Sequence, residues 1–447
     1  MAITHGAAQH APSSSTTPPA ATTPTPESAR KVAIACLVGA TIEWFDFFIY
    51  GTAAALIFST QFFPKFSPMA ATLAAFSTFA IGFFARPIGG IVMGHFGDRI
   101  GRKAMLVLSL LMMGVGTFAI GLLPTYAQIG LAAPVLLVLL RLCQGFGVGG
   151  EWSGAILMAV EHAPPDKRGF YGGFPQLGVA AGLVLANLVF LVIGWFLTEE
   201  QFQAWGWRLP FLFSIVLVGV GLYVRHKVSE SPIFEQAQRR GQAARSPLKE
   251  VLKNHKKPVF IAALACLAQN GMGYIVLVYV LNYGITQLGL TRSTMLSFII
   301  IANVLEIFAT LYFASLSDRI GRRKVFLMGT GAGVLWALAF FPIVDTAAPM
   351  LVLLAIVVAR LCIAAMYGPM AALFCELFEP SVRFSGTSLG YQAGSIVGGA
   401  LAPFIATLLF ASTGTSMSIS LYMAGLCLIS FIAIYSIAET HVSRPSR

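Results

Sequence analysis

Twelve apolar stretches, each of about 20 residues or more, dominate this sequence. They run from about Val32 to Phe58 and then over 73–96, 104–123, 134–159, 171–196, 207–226, 258–285, 293–316, 324–343, 350–374, 386–412 and 417–438. At a rise of about 1.5 Å per residue, each is long enough to cross about 30 Å of hydrocarbon as a helix. The chain has 447 residues, of which 57% are hydrophobic and 11% charged. Soluble domains carry about 25% charged residues, so this chain cannot dress a water-facing surface. A cytosolic enzyme, a nucleic-acid-binding domain and a disordered scaffold are excluded on that ground. The expectation is an all-α polytopic membrane protein with twelve transmembrane helices.

Residues 1–29 are rich in Ala, Ser, Thr and Pro and nearly free of charge. They cannot bury a core and lack the basic start of a cleavable signal peptide, so a disordered tail is expected. Six cysteines (Cys36, Cys143, Cys266, Cys362, Cys375 and Cys427) fall in or beside apolar runs. None has metal-ligand spacing, and they read as small buried apolar residues.

An even number of spans puts both termini on one side, and lysine and arginine choose that side. Arg30 and Lys31, Arg99 to Lys103, Lys167 and Arg168, the basic run between Arg225 and Lys257, Arg319 to Lys324, Arg383, Arg444 and Arg447 all fall with the termini. The opposite side has Lys65, Arg208 and Arg292. Both termini are therefore expected in the cytoplasm, with the chain multi-pass in the inner (plasma) membrane and the lipid bilayer as its surroundings. The formal net charge of +11 follows from this bias, and no nucleic-acid partner is expected.

The chain also repeats itself. Asp98-Arg99-Ile100-Gly101-Arg102 recurs as Asp318-Arg319-Ile320-Gly321-Arg322, and Arg141-Leu142-Cys143 as Arg360-Leu361-Cys362. Glu161 and Arg168 recur as Glu376 and Arg383, and Gln176 and Gly178 as Gln392 and Gly394. All offsets lie between 215 and 220, and each pair occupies the same place in a six-span half. Two pseudo-symmetric six-helix bundles follow, over 30–226 and 258–438. A cytoplasmic linker joins them over 227–257, and a tail closes the chain over 439–447. Halves of this kind enclose a central cavity where substrates bind near the midplane.

Several stretches carry a family resemblance. The loop Gly94-His95-Phe96-Gly97-Asp98-Arg99-Ile100-Gly101-Arg102-Lys103 resembles the signature loop of the major facilitator superfamily, and Arg141-Leu142-Cys143-Gln144-Gly145 resembles its fourth-helix motif. Glu43-Trp44-Phe45-Asp46-Phe47-Phe48-Ile49-Tyr50-Gly51, Arg86-Pro87-Ile88-Gly89-Gly90 and Gly149-Gly150-Glu151-Trp152 are similar to its metabolite:proton symporter family. That family includes permeases for shikimate, α-ketoglutarate, citrate and proline/betaine. Trp205-Gly206-Trp207-Arg208 and Pro210-Phe211 look closest to the shikimate branch. The fifth span reads Gly172-Gly173-Phe174-Pro175-Gln176-Leu177-Gly178, unlike the Gly-Pro motif of the drug/proton antiporters, so import is expected over drug efflux. The resemblance implies the major facilitator fold, a small-molecule metabolite and protons as partners, and no cofactor beyond the proton as coupling ion. It also links Arg141 to proton transfer or gating.

Seven ionisable residues sit inside spans: Glu43, Asp46, Arg86, Arg141, Glu151, Glu306 and Arg360. Each costs at least about 2.5–3.5 kcal/mol there, so each should face the interior and pair with protein, water or substrate. Glu43 and Asp46 are three apart and share a helix face. Two carboxylates so close resist double ionisation, and a proton held by one of them suits proton coupling, with Arg141 as partner. A structural pair locked to Arg86 or Arg141 is the plainer alternative. Arg86 is the first candidate for gripping a substrate carboxylate, because a guanidinium offers two parallel hydrogen bonds. Gln269, Asn270 and Tyr274 in the seventh span, Asn303 and Glu306 in the eighth, and Tyr391 and Gln392 in the eleventh are candidates for substrate selection. Tyr279 and Tyr283 are further candidates, and ordinary interhelical hydrogen bonding or packing competes with all of these readings.

The cytoplasmic loops, with Asp98, Arg99 and Arg102 and with Asp318, Arg319 and Arg322, are expected to form a latch together with Glu161, Arg168, Glu376 and Arg383. Asp98 resembles the family aspartate that meets a helix N-terminus of the opposite half, where an anion is favoured. Glu151, nearer the cytoplasm than Arg141, is expected to form a gate ion pair. His95, beside the loop, suits a helix-end hydrogen bond better than a proton relay.

The function expected is secondary active import of a small organic acid with protons by alternating access, by a chain acting as a monomer. Proton-coupled uptake of a zwitterion such as proline or betaine is the alternative, and it calls for an aromatic cage. A membrane enzyme would need a nucleophile–base pair, a metal cluster or a cofactor motif, and the sequence contains no such grouping.

Overall fold

The computed structural model describes residues 26–100, 102–226, 247–379 and 382–440. The described residues fold as helices, with no strand among them. Twelve helices are long and apolar enough to cross a membrane: α1 Ala29–Ala53, α2 Pro68–Met93, α3 Lys103–Leu122, α4 Ala132–Glu161, α5 Pro165–Phe196, α6 Gly206–Val224, α7 Lys256–Thr286, α8 Arg292–Ile320, α9 Arg322–Val344, α10 Pro349–Leu377, α11 Arg383–Thr413 and α12 Met417–Tyr435. They match the twelve apolar runs one for one.

Several boundaries differ from the sequence expectation. Helix already begins at Pro26, within the segment expected to be a tail, whose residues 1–25 lie outside the described residues. Most of the expected linker, residues 227–246, also lies outside them. Its last part forms a short helix, Pro247–Asn254, that packs on α2 and α11. Cys36 is half-buried and Cys143 exposed, so burial holds only for the other four cysteines. Large apolar side chains such as Phe308, Leu335 and Ile432 point outward, as a lipid-facing surface requires.

Helix pairing repeats between the halves. In the first six helices α1 packs on α5 and α6, α2 on α4, and α3 on α4 and α6. In the second six α7 packs on α11 and α12, α8 on α10, and α9 on α10 and α12. The halves meet mainly where α5 lies along α8 and α2 along α11. Lipid tails are as apolar as leucine, so close backbone approach at small residues has to hold such helices together. At the α2–α4 crossing, a Cβ placed on Gly89 would fall 1.9 Å from the Phe146 carbonyl oxygen.

Irregular helix geometry shapes the centre. Helix α4 breaks at Gly149–Gly150, between helical segments Ala132–Val148 and Glu151–Glu161. The Gly149 carbonyl then accepts hydrogen bonds from Gln392 Nε2 at 2.8 Å and Ser388 Oγ at 3.3 Å, both in α11. Irregular backbone at membrane depth is tolerated where protein satisfies it in this way. Helix α7 passes into a π-helical turn over Ile275–Tyr279, and α1 continues into one over Ala54–Phe58. Single π turns recur at functional sites, because the extra residue re-aims side chains.

Candidate functional site

A cavity of about 30 Å³ lies between the halves. Its wall is built from Trp44 and Phe48 of α1, Val179 and Ala180 of α5, and Gln269, Asn270, Gly273, Tyr274 and Leu277 of α7. Glu306 of α8, Arg360 and Tyr367 of α10 and Tyr391 of α11 complete it. A volume of that size holds about two water molecules by the same measure, so the halves are drawn together around it. Five aromatic side chains face two charged ones. Trp152 of α4 stacks on Tyr391 with ring centroids 3.8 Å apart, closing the wall toward the end that carries the termini.

Glu306 lies midway along α8, fourteen residues from Arg292 and fourteen from Ile320, so it sits near the bilayer midplane. Its carboxylate pairs with Arg360 through Nη2, and both side chains are buried. Arg360 Nη2 also donates to Asn303 Oδ1 at 2.7 Å. Asn303 in turn donates to the Ile299 carbonyl at 2.7 Å, which fixes its amide. Arg360 Nε has no hydrogen-bond partner among the described residues. Nη1 faces Gly273 of the wall, where an added Cβ would lie 3.8 Å away. Both partners, Glu306 and Asn303, thus take the same nitrogen, Nη2, and the side chain lines the cavity beside Glu306. The Gln269 side-chain oxygen is likewise buried without a partner among the described residues.

The expected meeting of α1 carboxylates with the guanidiniums of α2 and α4 in this pocket is not what the structure holds. Arg86 is enclosed by rings, with its guanidinium carbon 4.0 Å from the Phe83 centroid, 4.4 Å from Phe47 and 5.7 Å from Trp44. Arg141 lies 4.1 Å over Tyr50 and 4.4 Å over the same Phe47 ring. It donates to Gln144 Oε1 at 3.1 Å, and Gln144 donates to Thr117 Oγ1 at 2.8 Å, with Asp46 beside Thr117. Glu43 and Asp46 are both buried, and neither lines the cavity.

The physical reason is the aromatic packing of α1. Trp44 and Phe48 take the cavity face, while Phe47 turns to α2 and α4 and covers both cations. Of the residues expected to select substrate, Gln269, Asn270, Tyr274, Glu306 and Tyr391 reach the wall. Asn303 acts behind it through Arg360, Gln392 serves the α4 break, and Arg86 stands behind Tyr274 without lining the cavity itself. Arg360, Tyr367 and Trp44 join the wall without having been singled out for substrate contact; the mid-span charge of Arg360 and its repeat match to Arg141 were the available signals. Tyr279 and Tyr283 stack on each other at 5.8 Å and pack on Phe341, away from the wall.

At the end carrying the termini, Asp318 closes α8 against α5. Its oxygens accept hydrogen bonds from the backbone N–H groups of Gly169 at 2.9 Å and Phe170 at 2.8 Å. These groups are unsatisfied within the first turn of α5, where the helix dipole also favours an anion. Arg322 pairs with Asp318 at 2.7 Å and with Glu376 at 3.5 Å, and Arg383 lies 3.9 Å from Glu161 of the other half. Arg168 is half-buried and Arg319 exposed. The side chains of His95, Asp98, Arg99 and Arg102 lie outside the described residues. Glu151 is buried against a second small cavity with Ser109 and Phe384, and no ion pair forms on it among the described residues. The opposite end is bridged at the surface by Arg292 and Glu199, 2.9 Å apart.

Comparison with known proteins agrees with this architecture. The chain is 44% identical over 418 residues to the inner membrane metabolite transport protein YhjE of Escherichia coli, covering 92% of this chain and 95% of that protein. It is 43% identical over 406 residues to the shikimate transporter of the same organism, covering 90% and 93%. A putative proline/betaine transporter of Staphylococcus aureus is 32% identical over 416 residues, covering 91% and 88%. The solved proton:xylose symporter XylE superposes with a TM-score of 0.75 at 18% identity, over 93% of this chain and 97% of that one, a likeness of fold. The profile described as Major Facilitator Superfamily matches residues 36–391 and 304–447. The duplicated six-helix pattern, the cavity between the halves and this match agree: the chain is a multi-pass membrane transporter, not an enzyme, and belongs to the major facilitator superfamily.

Proposed function

We propose that this chain imports a small organic acid together with protons across the inner membrane by alternating access. The observation that carries the reading is the charge of the cavity wall. Arg360 lines the cavity at mid-membrane with a buried Nε that has no partner among the described residues, and a carboxylate is the ligand a guanidinium favours. Trp44, Phe48, Tyr274, Tyr367 and Tyr391 offer ring faces, and Gln269 and Asn270 offer groups for hydroxyls. A compact, hydroxylated carboxylate of the shikimate kind meets all three features, and a relative 43% identical is named for shikimate. The coupling ion is the proton, carried by one or more of the buried acids Glu43, Asp46, Glu151 and Glu306, and no further cofactor takes part.

The basic bias puts both termini in the cytoplasm, so the Asp318 and Arg383 contacts belong to a cytoplasmic latch. A single chain carries the whole pathway, consistent with a monomer. The aromatic wall also favours a second reading. A zwitterion such as proline or betaine would place its carboxylate on Arg360 and its cationic group against the rings or Glu306. Uptake into proteoliposomes of labelled shikimate, α-ketoglutarate, citrate, proline and betaine, with and without an inward-acid gradient, tests both. Accumulation of a carboxylate that rises with the gradient supports the first reading. Preference for proline or betaine supports the second, and uptake indifferent to the gradient removes proton coupling.

A further inference from the structure

We propose that Tyr274 anchors the transported carboxylate through its hydroxyl, and that Arg86 acts on the substrate through Tyr274 rather than by contact. This rests on the reading of the chain as a carboxylate importer and deepens it by naming a specificity-determining residue and the positioning residue behind it.

Tyr274 belongs to the second half of the molecule but is seated in the first. It ends the regular part of α7, directly before the π turn over Ile275–Tyr279. Its ring centroid lies 5.3 Å from that of Phe83, 5.9 Å from Phe79 and 6.4 Å from Phe47. Gly399 of α11 leaves the room this needs, since a Cβ there would fall 2.9 Å from Tyr274 Cε2 and 3.2 Å from Phe83 Cε1. Phe83 and Phe47 are also rings that cover Arg86, at 4.0 and 4.4 Å. The shared rings bring phenol and guanidinium together, and Arg86 donates a hydrogen bond to the Tyr274 hydroxyl. Tyr274 in turn lines the cavity, which Arg86 does not.

The chemistry of that contact sets the direction of the next one. A guanidinium has donors only, and a phenol has a single O–H. The Tyr274 oxygen therefore accepts from Arg86, and its own hydrogen is left to point away, to the cavity side. Hydrogen bonds in series polarise one another, so this O–H donates more strongly than an isolated phenol's. Arg141 and Arg360 act on the same hydroxyl through space. Two cations of the first half and one of the second thus converge on one neutral donor. Arg360 Nη1 lies beside Gly273, the neighbouring residue, 3.8 Å from where its Cβ would be. A carboxylate with one oxygen on the Tyr274 hydroxyl and the other toward Arg360 feels the charge of both halves while Arg86 stays under its rings.

The test uses the full chain, purified in detergent, with shikimate and its uncharged methyl ester as probes. Tyr274→Phe keeps the ring and removes the hydroxyl; it should raise the dissociation constant for shikimate about tenfold or more, the worth of a hydrogen bond to a charged group. The preference for the acid over the ester should fall with it, and Arg86→Gln should lower that preference in the same way. The double variant should bind shikimate about as weakly as either single one, whereas independent contacts would multiply to a loss of about a hundredfold. Should Arg86→Gln fold poorly, Arg86→Lys goes through the same cycle and should change binding only where the Tyr274 hydroxyl is present. Unchanged shikimate affinity or unchanged acid preference in Tyr274→Phe, or losses that multiply in the double variant, overturn the inference while the import reading stands. If the wild type binds neither shikimate nor any other carboxylate of the panel, the import reading itself fails, and this inference with it.

Discussion

Asp318 caps a helix that belongs to the other half of the molecule: its carboxylate accepts the backbone N–H of Gly169 at 2.9 Å, across 149 positions of sequence. A charged acceptor at a helix N-terminus is worth about 1 kcal/mol or more, and this one also joins the halves. Asp318→Asn keeps the shape and removes the charge. It should shift the equilibrium toward opening at that end by about 1 kcal/mol, roughly a fivefold change in population. In a variant with Cys375 as its one cysteine, buried in α10, labelling by an impermeant maleimide from the terminus side should rise about as much. Unchanged labelling would show that the contact does not hold the gate.

Phe47 lies under two cations at once, 4.4 Å from both the Arg86 and the Arg141 guanidinium carbons. A desolvated cation–π contact is worth about 2 kcal/mol. Phe47→Leu, which nearly conserves volume, should therefore lower thermal stability in detergent by about 2 kcal/mol or more. Phe48→Leu is the comparison, since Phe48 packs on Trp44 and no guanidinium lies over its ring among the described residues; it should cost less than about 1.5 kcal/mol. Equal losses for the two variants would argue that packing volume alone matters at Phe47.

Gly89 tolerates no side chain, because a Cβ there would fall 1.9 Å from the Phe146 carbonyl oxygen. Gly89→Ala must push α2 away from α4, and overpacking of this kind costs about 1–3 kcal/mol or more. Gly219 in α6 has nothing within 4 Å of an added Cβ. Gly219→Ala should be neutral or stabilising by up to about 1 kcal/mol, from helix propensity. Membrane yield and melting temperature of the pair check this, and similar behaviour of both variants would contradict the close crossing.

Glu199 and Arg292 also bridge the halves, at 2.9 Å, but their side chains are 61% and 30% exposed. Exposed pairs contribute about 0–1 kcal/mol. Glu199→Gln should leave uptake within about twofold of wild type. A loss of about fivefold or more would mean that this surface pair, too, controls access.

Much of this was legible in the sequence. Hydropathy over a span and the cost of a charge in lipid are local quantities, so the twelve helices, the duplication and the set of intramembrane charges could be read directly from residue order. Which charge meets which could not. Arg86 and Arg360 look alike as guanidiniums inside apolar runs, yet one is sealed under Phe47 and Phe83 while the other lines the cavity with Glu306. Gln392 looked like a substrate contact and instead caps the Gly149 carbonyl, 243 positions away. Such outcomes depend on how far each helix is rotated about its axis and where the halves touch. Those are set by packing between residues distant in the chain, and they emerge only when the whole bundle closes.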